Sequence, residues 1–116
     1  DAAGLPPKPD QHVDGLSLAA ALRGDRPLPV RTLYWHFPHY HGSGATPSGA
    51  ILAGDYKLIE WFEDERRELY RLDTDPSERH DLSREDPGGV KLLAEALAKW
   101  RQEVGARMPR VNPEWR

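Results

Sequence analysis

Apolar and polar positions alternate with a period of two over residues 31–37. This predicts a strand with Leu33, Trp35 and Phe37 on one face and Tyr34 and His36 on the other. Pro38 has no N–H to give a ladder, so this strand ends there or lies at a sheet edge. Residues 39–48 carry Gly42, Gly44 and Pro47 and read as a loop. A second strand is predicted over 48–53, Gly54-Asp55 as a two-residue hairpin turn, and a third strand over 56–62. Glu63-Asp64-Glu65-Arg66 is a charged turn, and 68–72 a fourth strand with Tyr70 and Leu72 on one face. Asp73-Thr74-Asp75-Pro76 breaks that strand. The period then changes: Val90, Leu93, Leu97, Trp100 and Val104 form one helical stripe. Asp86 is placed to cap this helix, Pro87 suits its first position and Gly105 its end. Glu95 and Lys99 have the spacing of a helical ion pair. Nearer the start, residues 14–22 read as a short helix ending near Gly24, with Leu18, Ala21 and Leu22 on one face.

The expected fold is therefore α+β, an antiparallel sheet of about four strands packed against one long C-terminal helix, with a short N-terminal helix. Leu5-Pro6-Pro7-Lys8-Pro9-Asp10 reads as a linker or an extended wrap, and the two Pro after Met108 predict an irregular tail. The boundary is expected near Pro29, giving a linker and short helix over 1–29 and the α+β domain over 30–116. The chain starts without Met, without a basic segment and without an apolar run, so it reads as a processed or excised piece of something longer.

At 116 residues the chain has enough length for one modest core. A net charge of −3 offers no basic patch for nucleic acid or anionic membrane, so neither partner is expected. The longest apolar runs are far too short to span a bilayer. The absence of Cys removes disulfides, thiolate metal sites and a Cys nucleophile from this chain.

The chemistry concentrates in residues 34–42, where three His (His36, His39, His41) and four aromatics (Tyr34, Trp35, Phe37, Tyr40) run into a Gly-containing loop. Buried imidazoles each need a partner, and a surface loop has little use for that many rings. Both are served by a strand that enters the rim of a pocket, with imidazole N–H groups turned toward an anion or a sugar. A metal site is the competing use, but Pro38 separates the first two His, and no nearby carboxylate completes a ligand set. Lys57 joins the rim candidates, although a strand Lys is ordinarily a surface group. Asp73, Asp75, Glu78 and Asp81 lack the order of a calcium loop and read as turn and cap chemistry. No nucleophile elbow and no phosphate-binding glycine loop is present.

Several stretches together resemble the C-terminal part of the sulfatase (arylsulfatase-like) family. Asp14-Gly15-Leu16-Ser17-Leu18 with Leu22-Arg23-Gly24 is similar to the family's D-G-x-S-L…L-x-G segment, which leads out of the catalytic domain. Tyr34 to Tyr40 resembles an edge strand and loop of many bacterial members. Gly49 to Ile59 is similar to the A-I-R-x-G-D-Y-K-L-I strand pair, with Leu52 where Arg is common. The segment Glu68 to Glu78, with Asp81-Leu82-Ser83, resembles E-L-Y-D-L-x-x-D-P-x-E-x-x-N-L-A, with Arg71 where Asp is common and His80-Asp81 in place of a polar-Asn pair.

The resemblance implies an accessory subdomain of an enzyme that hydrolyses sulfate esters. In that family the nucleophile is the hydrate of formylglycine, made from a C/S-x-P-x-R motif, and calcium orients the sulfate. This chain holds no such motif, so both groups belong to a missing N-terminal catalytic domain and the isolated chain is expected to be inactive. Its expected partners are that catalytic domain and a sulfated small molecule or glycan. His36, His39, His41 and Lys57 are expected at the pocket rim, and a sheet face without its cover is expected to dimerise. A periplasmic or secreted parent suits the resemblance, and a cytoplasmic one is left open. The alternative is a free-standing α+β binding or interaction module without hydrolase activity.

Overall fold

Four strands, β1 (Leu33–Phe37), β2 (Ser48–Ala53), β3 (Tyr56–Trp61) and β4 (Arg67–Arg71), form one sheet in sequence order in the computed structural model. All three pairings are antiparallel. The helices are α1 (Ala19–Leu22) and α2 (Pro87–Glu103). The expected α+β architecture is therefore present. The structure describes residues 4–6, 8, 10–11, 14–110 and 112–114; Pro7 and Pro9 of the predicted linker, and the end of the predicted tail, lie outside them. The chain divides into two compact units, 1–30 and 31–116.

In the second unit, the register decides which residues meet α2. Tyr34, Ile51, Leu58 and Leu69 are successive cross-strand partners and form one row across the sheet. Ile51, Leu58 and Leu69 are at most 1% exposed and pack with Leu93, Ala94 and Leu97 of α2. Each such side chain contributes roughly 1.5–3 kcal/mol by leaving water. Tyr34 extends the row by stacking flat on Trp100, with ring centroids 4.8 Å apart. Strand alternation then places His36, Gly49 and Glu60 on the helix side, and Trp35 and Phe37 on the opposite face. Trp35 is 47% and Phe37 39% exposed.

Turn and cap chemistry falls where the sequence places it. Gly54 takes φ +58° in the hairpin, a conformation costly for residues with a Cβ. The Asp86 carboxylate accepts from the Gly89 N–H at 2.8 Å, with Pro87 opening the helix. At the other end the Ala106 N–H donates to the Arg101 carbonyl at 2.9 Å, past Gly105 at φ +62°. The outer edge of β4 is covered by the segment before α2: the Leu69 N–H donates to Asp81 at 3.0 Å, and the Leu82 N–H to the Leu69 carbonyl at 2.8 Å. This removes an open edge that would otherwise invite pairing.

Three expectations need correction. The predicted helix over 14–22 is only the four-residue α1, with Leu18 and Leu22 exposed. A segment this short does not repay helix nucleation, so apolar spacing alone does not extend it. On α2, Glu95 pairs back to Lys91 at 3.9 Å and Lys99 pairs forward to Glu103 at 3.8 Å, instead of with each other. These side chains are exposed, and competing pairings of equal spacing differ little in energy. The inner stripe also drifts. Ala94 is buried, Arg101 lies inward, and Val104 is 55% exposed.

Candidate functional site

The loop between β1 and β2 carries two of the three predicted His, and its geometry separates all three. His36 points to the helix side, where its Nε2 lies 2.8 Å from the Arg107 carbonyl oxygen. A carbonyl only accepts, so Nε2 carries the proton. Nδ1 is buried without a partner among the described residues. His39 is exposed and packs edge-on against Phe37, whose ring lies on the other face of the sheet, at a centroid distance of 5.6 Å. His41 closes its own turn: its Nδ1 is 2.9 Å from the Ser43 hydroxyl, its N–H donates to the Ala45 carbonyl at 3.0 Å, and its carbonyl accepts from Gly44 at 3.0 Å. Tyr40, 69% exposed, donates to Glu63 at 2.6 Å across to the β3–β4 turn. That carboxylate raises the Tyr40 phenol above its ordinary value.

The loop stands on a polar cluster that the sequence reading missed. The Phe62 N–H donates to the Pro47 carbonyl at 3.0 Å, which fixes the far end of the loop. The Phe62 ring lies 5.6 Å from the His36 ring and 4.9 Å from the Arg101 guanidinium carbon. Arg101 Nη1 donates to Glu60 at 2.6 Å, and Arg67 Nε donates to the other carboxylate oxygen at 2.8 Å. Glu60 is 8% exposed. Gly49, opposite both His36 and Glu60, leaves room for the Arg101 guanidinium, which a side chain there would displace. The signal was available: Glu60 shares a strand face with Leu58, and Arg101 follows Leu97 by one helical turn. A charge in a buried row needs a counter-charge in the element packed on it.

Lys57 is spent on an ion pair with Glu78 at 2.6 Å, both side chains about one-quarter to one-third exposed. Burial alone would raise the Asp81 carboxyl. The N–H groups of Leu69 and Ser83, the Ser83 hydroxyl and the Arg84 charge outweigh burial and hold it below the usual carboxylate range. Burial, with Asp81 and Glu78 nearby, raises the Tyr70 phenol. No group of three or more His, Cys, Asp or Glu is placed to hold a metal ion among the described residues. No Ser in the sequence is followed by x-Pro-x-Arg, and there is no Cys. No helix among the described residues is long and apolar enough to cross a membrane. Two open depressions lie in the first unit, lined in part by Ser17, Arg23 and Arg26, and include none of the predicted site residues.

No family model matches the chain. It is 34% identical over 87 residues to a Delta 4,5-hexuronate-2-O-sulfatase of Bacteroides thetaiotaomicron, an alignment covering 72% of this chain and 18% of that protein. Among solved structures, a 2-O GAG sulfatase is 30% identical with a TM-score of 0.57, over 89% of this chain and 22% of the other. A protein solved with its substrate D-glucosamine-2-N,6-O-disulfate has a TM-score of 0.66 over 92% of this chain and 23% of its own, at 23% identity, a likeness of fold. The chain thus spans about a fifth of the length of these relatives.

Proposed function

We propose that this chain, which fits a sulfatase C-terminal domain, is the accessory subdomain of an enzyme that hydrolyses a sulfate ester on a sugar. The observation that carries this reading is the 34% identity to a hexuronate-2-O-sulfatase together with coverage of only 18% of that protein. In the parent enzyme the formylglycine nucleophile and calcium would be supplied by the remaining chain; the lack of a C/S-x-P-x-R motif in the sequence, and of a group of three metal-ligating side chains among the described residues, supports this.

Two jobs are assigned to the subdomain. The sheet face bearing Trp35 and Phe37 packs on the parent's catalytic part; large half-exposed rings outside the α2 core support this. The β1–β2 loop forms part of the substrate-pocket rim. Exposed His39 and Tyr40, with His41 holding the turn, are the groups that would meet a sulfated saccharide. His36 and Lys57 sit behind that rim, engaged by Arg107 and Glu78.

The test is kinetic and uses the parent enzyme. His39→Ala with His41→Ala is expected to raise KM for a sulfated saccharide, or change substrate choice, with kcat little altered. An unchanged kinetic profile would refute the rim assignment. The 116-residue chain alone is expected to show no turnover of an aryl sulfate, and measurable turnover would overturn the accessory reading.

A further inference from the structure

We propose that the C-terminal end of α2 and the segment after it form a latch that positions the β1–β2 loop, with His36, Phe62 and Arg101 as its positioning residues. This rests on the reading of that loop as the substrate rim and adds what holds the rim in place.

Both ends of the loop are fixed at one locus. At its start, His36 sits two residues before the loop proper, and its Nε2–H holds the Arg107 carbonyl, a bond joining positions 71 residues apart. At its end, Pro47 is held by the Phe62 N–H. The Phe62 ring is close to both the His36 ring, at 5.6 Å, and the Arg101 guanidinium, at 4.9 Å. Arg101 is itself fixed, by Glu60 at 2.6 Å and by its own backbone carbonyl, which receives the Ala106 N–H at 2.9 Å just before Arg107. The helix end, the segment after it and both loop ends thus share one set of contacts. Within the loop, the Ala45 carbonyl holds the His41 N–H, the His41 carbonyl holds Gly44, and His41 Nδ1 meets Ser43, while Tyr40 ties the middle to Glu63 of the β3–β4 turn. These bonds shape the turn, and the contacts at its two ends are what join it to α2 and the segment after it. His36 therefore acts through geometry and does not touch substrate.

The experiment is native-state amide hydrogen exchange on the 116-residue chain, read at His41, Gly44 and Phe62 for the loop and at Leu58 and Leu97 for the core. His36→Leu keeps bulk and removes the donor. A chain ending at Ala106 removes the acceptor without touching His36. Both are expected to speed exchange at the loop amides about fivefold to tenfold, the loss of one neutral hydrogen bond, with core exchange unchanged. His36→Gln, which retains an N–H donor, is expected to restore most of the protection. Unchanged loop exchange in both variants would overturn the latch. Equal acceleration of loop and core amides would also overturn it, because His36 would then serve global stability alone. The kinetic test of His39 and His41 is independent. Intact loop protection changes with unaltered KM would sink the rim and leave the latch.

Discussion

Glu60 offers the sharpest check on how this domain is held together. The residue is 8% exposed, and its carboxylate joins β3 to Arg67 of β4 at 2.8 Å and to Arg101 of α2 at 2.6 Å. The two partners are not equivalent. Arg67 has a side chain 48% exposed, so its pair is screened by water and is worth about 1 kcal/mol or less. The Arg101 side chain is 11% exposed, and its Nε and Nη2 already lack hydrogen-bond partners among the described residues. Glu60→Ala would leave that guanidinium buried with no counter-charge, which costs about 3–5 kcal/mol. Domains hold only about 5–15 kcal/mol in all, so the variant should sit near the edge of stability. The assay is urea unfolding followed by Trp fluorescence, since Trp100 stacks on Tyr34 within the same interface. The midpoint should fall with the slope unchanged. Replacing both groups, Glu60→Leu with Arg101→Leu, should recover most of the loss, because an apolar pair carries no desolvation penalty. A Glu60→Ala loss under about 1 kcal/mol, or a double variant no better than the single one, would refute the account.

Leu97→Ala, at a fully buried position in the same core cluster as Leu58 and Leu69, should cost about 2–5 kcal/mol in the same unfolding assay. Asp86→Ala removes the cap that holds the Gly89 N–H and should cost about 1 kcal/mol, with faster exchange confined to the first turn of α2. Asp81 has its folded-state pKa lowered, so its stabilisation is complete above the ordinary aspartate value of about 3.9 and is lost as pH falls through the lowered folded value. The stability gap between wild type and Asp81→Asn should therefore shrink as acid unfolding is pushed below about pH 4, and a constant gap would contradict the assignment. The isolated chain should self-associate with rising concentration through the face of Trp35 and Phe37, as read by sedimentation velocity, and Trp35→Ser with Phe37→Ser should abolish this.

The sequence alone determined the elements of this protein and their order. Period-two alternation, the Gly54-Asp55 turn, and the Asp86, Pro87 and Gly105 signals act over a few residues, so β2, the hairpin and α2 were legible to within a residue or two. It also drew attention to the loop of His39 and His41. What it did not determine was which face of β1 meets the helix. Alternation marks two faces without saying which one is covered, and the Leu33, Trp35 and Phe37 face looked at least as apolar as the Tyr34 and His36 face. The tertiary structure decided this through register. Pairing Tyr34 with Ile51 places His36 over Gly49, beside Phe62 and the Arg101 guanidinium. One of three similar His thereby became a buried anchor while His39 went to the opposite side, because cross-strand partners and a helix 65 residues away, rather than neighbours in sequence, set what each ring can touch.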